Sequence, residues 1–136
     1  MAERKDAGII RALRLSMLGG ELSGPDGSHR RLFECSSCLC ALMKDGQETV
    51  GQVMLCLYEV MPDERNLSGK WATLFSVYTR PAYRGKGYME QLLIYLFQEA
   101  RLRGVAQVLA SAEEKAIPLY QRLGFTMQKN WMSRRL

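Results

Sequence analysis

No apolar run in this 136-residue sequence approaches the roughly 20 residues that a membrane-spanning helix needs. Met1 to Ala7 is polar and charged, with no apolar stretch behind a basic start, so it does not read as a secretory leader. The expected location is therefore the cytoplasm, with no membrane partner. Internal repeats, linkers and low-complexity tracts are also lacking, and the length suits a single domain spanning residues 1–136. Histidine is nearly absent: His29 is the only one, in a Gly/Ser-rich stretch that reads as an exposed loop. Cysteine occurs four times, at Cys35, Cys38, Cys40 and Cys56. Cys35-x-x-Cys38-x-Cys40 has a metal-like spacing but lacks a second ligand pair. Cys38 to Met43 reads as a strand, in which alternate residues share a face, so the cysteines are expected to act as small buried hydrophobes and to bind no metal. A disulfide is disfavoured in a cytosolic chain.

Acidic residues are in deficit, 14 against 19 basic ones, which leaves a formal charge of +5. Nucleic-acid binding would need basic residues clustered among exposed aromatics. Arg134-Arg135 is too small a cluster for that, so no nucleic-acid partner is expected. Attraction of a smaller polyanion remains open. The fingerprints of two large phosphate-binding classes are missing too. Gly-x-x-x-x-Gly-Lys-Ser/Thr does not occur, and the dinucleotide turn would need a third glycine and a later acidic residue.

What is present is a different glycine turn, Arg84-Gly85-Lys86-Gly87-Tyr88-Met89, between a β-rich run, Ala72 to Thr79, and an amphipathic helix. Glycines at a strand-to-helix junction permit a tight turn and leave amides uncovered at the helix N-terminus. Unpaired N–H groups and the helix dipole together favour a phosphate there. Arg80, Arg84 and Lys86 add positive charge nearby. Met89, Leu92, Leu93, Leu96, Phe97 and Ala100 form one apolar face at helical spacing. Gly104 suits the left-handed position that ends a helix, and Val105 to Ala110 reads as a short buried strand. Strand, turn, helix and strand in this order describe a crossover between parallel strands.

Pro81-x-Tyr83-Arg84-Gly85-Lys86-Gly87, with its flanks, resembles the GNAT superfamily of acyl-CoA-dependent N-acetyltransferases. Arg84, Gly87 and Met89 match the family's Gln/Arg-x-x-Gly-x-Gly/Ala turn, with Met89 standing where a small residue is usual. Leu74 to Pro81 looks like the family's fourth strand. Ala116-Ile117-Pro118-Leu119-Tyr120-Gln121-Arg122-Leu123-Gly124-Phe125 looks like its Ala-x-x-Leu-Tyr-x-x-x-Gly-Phe segment. The resemblance covers about half the chain, from Ala72 to Leu136. It implies an α/β (α+β) three-layer fold with a mixed, mostly antiparallel twisted sheet flanked by helices. It also implies acetyl-CoA as co-substrate. The contacts would come from Val77, Tyr78 and Thr79 on the strand, and from Arg84, Gly85, Lys86, Gly87, Tyr88, Met89 and Glu90 around the helix start. The amide of Val77 would donate to the acyl oxygen, and the Tyr120 phenol to the coenzyme A sulfur.

The first half is less specific. Ile9, Ile10, Leu13, Met17 and Leu18 make a helical stripe over Ala7 to Leu18, ended by Gly19-Gly20. Glu21 to Arg30 reads as a loop with a short helix after it through Phe33. Cys38 to Met43 and Thr49 to Val60 read as strands of a hairpin turning at Lys44-Asp45-Gly46-Gln47. Family members usually open with a strand, but Met1 to Asp6 offers none, so the first strand is expected to be either absent or lost by truncation, and the sheet edge open to a partner such as a second copy.

Amide formation from a thioester needs a neutral amine, a donor for the oxyanion and an acid for the thiolate. Thr73 to Thr79 and Val105 to Ser111 contain no carboxylate. Glu59 is then the leading candidate base, followed by Glu113 and Glu114, with water as the alternative proton path. The acceptor is expected to be a primary amine on a small molecule, a peptide N-terminus or a lysine. A catalytically inactive acyl-CoA-binding module is the competing reading. Pro118, Trp71 and Trp131 have ordinary structural explanations, a helix first turn and core or edge-strand packing.

Overall fold

The structure, a computed structural model, describes residues 1–17 and 36–136. The readings made for Leu18, the Gly19-Gly20 helix end, the following loop and short helix, His29 and Cys35 lie outside the described residues. A single turn, Arg4–Asp6, leads into helix α1, Ala7–Met17. A four-stranded sheet follows in the order β1-β2-β3-β4. Its strands are β1 (Cys38–Asp45), β2 (Glu48–Glu59), β3 (Lys70–Thr79) and β4 (Gln107–Ala110). Helix α2, Tyr88–Leu102, connects β3 to β4, and the short helix α3, Ile117–Arg122, comes after β4.

β1 and β2 form the expected hairpin, with Asp45 opposite Glu48. Gly46 sits in the turn at φ 59°, where a residue with a Cβ would be strained. β2 and β3 are antiparallel, whereas β3 and β4 are parallel, as the crossover pattern implied. Residues 49–55 of β2 are buried in succession. A central strand covered on both faces has no reason to alternate in polarity. Leu39, Ala41, Val53, Leu55, Ala72 and Leu74 face α2, which inserts Leu92, Leu93, Leu96 and Ala100. Burying one leucine stabilises by about 1.5–3 kcal/mol, so this seam holds α2 firmly against the sheet. On the other face Cys40 and Met54 pack against Ile10 of α1.

Several boundaries differ from the sequence reading. β4 begins at Gln107, because the Val105 amide is used to close α2 on Ala100 O at 3.1 Å. Gly104 takes the left-handed conformation expected of it, φ 83°. No strand precedes α1, yet the N-terminus lies near the β1 edge: the Ala2 amide donates to Cys40 O at 2.8 Å. Of the cysteines expected to be buried, Cys40 is, and burial pushes its thiol up to about 12; Cys38 is half-buried and Cys56 is exposed, because the buried run of β2 ends at Leu55.

The cleft between β3 and β4

Two departures from regular pairing open the sheet. β4 pairs with β3 only from Trp71 to Leu74, so residues 75–79 of β3 have no strand on that side. On the β2 side the register shifts: Met54 faces Phe75, but Gln52 faces Tyr78. The extra β3 residue makes a bulge, and Ser76 within it has φ 54°. That is an uncommon conformation for a residue with a side chain, and bulges of this kind re-aim a strand. The strands therefore splay beyond Leu74, leaving main-chain hydrogen-bonding groups of β3 available to a ligand.

The splay opens into a cleft of about 700 Å³. β3 contributes Leu74 to Thr79; the glycine turn and α2 contribute Arg84, Gly85, Gly87, Tyr88, Met89 and Glu90; the far wall includes Ser111, Glu113, Leu119 and Tyr120. Gly87 is the N-cap of α2 at φ 78°, and Gly85 lies at φ 76°. The first helical bond runs from the Gln91 amide to Gly87 O at 3.2 Å. The amides of Tyr88, Met89 and Glu90 precede it and have no carbonyl of their own helix to bond. A Cβ added at Gly85 or Gly87 would meet no atom within 4 Å, so both glycines border open space. Uncovered amides, a helix dipole and this space make a cradle for an anion.

The cradle is braced in a way the sequence did not signal. The Tyr83 hydroxyl donates to Glu48 at 2.8 Å, and the Tyr88 hydroxyl to Asp45 at 3.3 Å. The β1–β2 hairpin thus holds both flanks of the glycine turn. Both phenols are raised above their ordinary value, Tyr83 chiefly by its hydrogen bond to Glu48 and Tyr88 chiefly by the charge of Asp45. The basic residues divide their roles. Arg84 lines the cleft, donating to Thr79 O at 3.0 Å and lying over the Tyr78 ring. Lys86 sits over the Tyr83 ring, 5.1 Å from its centroid, and is outside the cleft lining. Arg80 is turned the other way, onto Thr49 O at 3.0 Å and Glu48 at 3.5 Å. Arg122 of α3 reaches Glu90 at 3.2 Å, offsetting a carboxylate beside the cradle.

Tyr120 stands in α3, whose first turn accommodates Pro118 as expected. The residue is 5% exposed, and its hydroxyl makes no hydrogen bond among the described residues. Burial, and then the charge of Glu113, raise its phenol above the ordinary 10.0. Of the three carboxylates considered as bases, only Glu113 lines the cleft. Glu59 is exposed at the far end of β2, opposite Lys70. Val77 lies seven residues further along β3, roughly 23 Å at about 3.3 Å per residue. Sequence reasoning placed Glu59 by its position at a strand end, and only the register shows which end. Ser16 and Met17 of α1 also reach the cleft, a contact with no local sequence signal. Among the described residues no group of three or more His, Cys, Asp or Glu side chains is placed to hold a metal ion, and no helix is long and apolar enough to cross a membrane.

A family model described as acetyltransferase (GNAT) family matches residues 10–125. A glucosamine 6-phosphate N-acetyltransferase of Trypanosoma brucei brucei is 35% identical over 52 residues, which span 38% of this chain and 35% of that protein. Among solved structures, a predicted acetyltransferase with acetyl-CoA from Clostridium acetobutylicum superposes with a TM-score of 0.85 at 20% identity, covering 98% of this chain and 92% of that one. Glucosamine-6-phosphate N-acetyltransferase from Arabidopsis thaliana superposes with a TM-score of 0.74 at 19% identity, covering 97% and 91%.

Proposed function

The chain belongs to the acetyltransferase (GNAT) family, and from that membership we propose that residues 1–136 act as one domain that transfers an acetyl group from acetyl-CoA to a primary amine. The observation that carries this reading is the cradle of uncovered amides at the start of α2, opening into the same cleft as the β3 splay and Tyr120. The residues fit the ligand. The amides of the Gly85–Glu90 turn and the Arg84 guanidinium would hold the pyrophosphate, and β3 beyond Leu74 would hold the pantetheine arm. Arg80 and Lys86 are engaged elsewhere and are left out of this assignment. Met89 packs partly on the core while also lining the cleft, so a larger side chain there leaves the amide donors open. Being solved with acetyl-CoA is a property of one similar fold, and it supports the donor proposed here.

Acetyl-CoA, when bound, supplies a thioester whose acyl carbon is open to attack by the amine nitrogen. The Val77 amide donates to the acyl oxygen as charge develops on it, an oxyanion contact of the kind worth about 2.7–4 kcal/mol in other enzymes. The amine must lose a proton. Glu113, at the cleft wall and paired with Lys115 at 3.2 Å, or water takes it. Tyr120 Oη gives its proton to the departing sulfur and recovers one from solvent. A phenol raised above 10.0 stays protonated at neutral pH and is ready to donate.

β3 and β4 carry no carboxylate, and that favours a second reading, an acyl-CoA-binding module without turnover. Incubation with acetyl-CoA and a panel of amines, following free thiol and confirming the acetylated product by mass, separates the two. Thiol release that depends on the amine is the expected result. Binding of acetyl-CoA with no release for any amine would leave the module.

A further inference from the structure

Three cysteines share one face of the β1–β2 hairpin, toward its open end. Cys40 and Met54 pack on Ile10 of α1, and side chains two residues apart along a strand lie on the same face. Cys38, two residues before Cys40, and Cys56, two after Met54, therefore point to that face as well. The register sets Cys38 directly opposite Cys56.

Opposite residues in an antiparallel ladder alternate between two spacings, and the adjoining pair shows which one applies. The Leu57 amide donates to Ser37 O at 2.6 Å, so Ser37 and Leu57 form a hydrogen-bonded pair. The next pair, Cys38 and Cys56, is then a non-hydrogen-bonded one. Such pairs bring their Cα atoms to about 4.5 Å and draw their side chains together. A disulfide spans Cα separations of about 4.4–6.8 Å, so this one closes without moving either strand far. Both residues are thiols in this structure.

We propose that Cys38 and Cys56 are a site of reversible thiol oxidation, closing to a cross-strand disulfide that ties β1 to β2. The oxidant is a low-molecular-weight disulfide such as oxidised glutathione. Cys56 is exposed, so its thiolate reaches the oxidant first. It attacks one sulfur, the oxidant's S–S bond breaks, and one glutathione leaves with the electron pair. Cys38, half-buried and directly opposite, then attacks the Cys56 sulfur and expels the second glutathione. Two protein thiols are oxidised, one oxidised glutathione is reduced to two thiols, and these take up the two protons that the cysteines lose. Cys40 is a poor competitor. It is 6% exposed, faces Met54 across the ladder, and its thiol, pushed up to about 12, supplies little thiolate. The pair is also remote from the glycine turn. Gly51, which faces Thr79 just before that turn, is five residues from Cys56 along β2, roughly 17 Å. The site is thus independent of the chemistry proposed for the cleft.

The test exposes the reduced protein to oxidised glutathione, blocks remaining thiols with iodoacetamide and maps the peptides by mass without reduction. Trypsin leaves Cys35, Cys38 and Cys40 together in the peptide from Leu32 to Lys44, so fragmentation of the linked pair identifies the partner. The expected product is a Cys38–Cys56 link within one chain, reversed by dithiothreitol and retained in Cys35→Ser. Cys38→Ser should stop the reaction halfway, raising the Cys56–glutathione adduct at least tenfold. Cys38→Ala, which places no hydroxyl at this half-buried position, should do the same. Linkage should raise Tm by roughly 5 °C, because it closes the hairpin in the unfolded chain as well. A stable Cys56–glutathione adduct in the unaltered protein overturns the proposal, as does a link to Cys35, to Cys40 or between two chains. A fall in Tm on linkage overturns it too, since the bond would then distort the ladder that is said to accommodate it.

Discussion

At the scale of single residues, the proposed proton transfer rests on Tyr120. Phenylalanine keeps the ring against Phe125, whose centroid lies 5.4 Å away, and removes only the proton donor. A positioned general acid is typically worth 10²- to 10⁴-fold, so Tyr120→Phe should lower kcat by about that factor with little change in acetyl-CoA affinity. A fall below about threefold would make Tyr120 a packing residue. The raised phenol also sets a sign. Its folded pKa lies above the unfolded one, so the stability it contributes is complete below pH 10.0 and is lost as pH rises through the raised value. The rate should climb with pH as the amine becomes neutral, and show no falling limb below about pH 10. Cysteine supplies a second check. Cys56 is exposed while Cys40 is 6% exposed with its thiol pushed up to about 12. Only the thiolate reacts, so brief iodoacetamide treatment followed by peptide mass mapping should label Cys56 and spare Cys40 until the protein unfolds. Equal labelling of the two would contradict the buried position of Cys40 on β1.

At the scale of elements, the glycine turn and α2 act as one unit. Gly87 caps α2 with a left-handed backbone and faces open space. Gly87→Ala therefore has two separate effects. The left-handed conformation should cost roughly 1–2 kcal/mol of stability. The new methyl projects into the cradle and should weaken acetyl-CoA binding at least tenfold, although it meets no protein atom. Urea denaturation and calorimetry measure the two effects independently. A variant that loses stability but binds normally would show that the phosphate lies elsewhere. Most of this unit was readable in advance. Helical spacing of Leu92, Leu93 and Leu96 identified the buried face, and two glycines marked the turn. The clasp from Tyr83 and Tyr88 to Glu48 and Asp45 was not readable, because it joins residues 35 and 43 positions apart.

At the scale of the whole molecule, the ligand should bind across elements that otherwise touch little at the splay. β3 is held on one side by β2, and β4 leaves it at Leu74. Acetyl-CoA lying between β3, α2 and α3 would tie them together. A ligand binding only the folded state at a hundredfold excess over Kd stabilises it by about 2.7 kcal/mol. For a chain of 136 residues this corresponds to a rise in Tm of about 9 °C. Adenosine, which lacks the pyrophosphate and the pantetheine arm, should give far less. An equal shift from both would place binding energy in the base and not in the amide cradle.

Local chemistry was legible in the sequence because it depends on near neighbours. The hairpin at Gly46, the amphipathic α2, the tight glycine turn before it, the left-handed Gly104 and Pro118 in a first turn all follow from backbone sterics and periodicity within a few residues. The family and its fold were indicated differently, by the resemblance of three motifs, Leu74 to Pro81, the Arg84 to Met89 turn and Ala116 to Phe125, taken in order. Only the tertiary structure decided matters of register and direction. The bulge at Ser76 depends on how β2 slides past β3, and no composition rule specifies that offset. The same register carries Glu59 to the end of the sheet away from Val77, while α3 folds back to bring Glu113 and Tyr120 to the cleft.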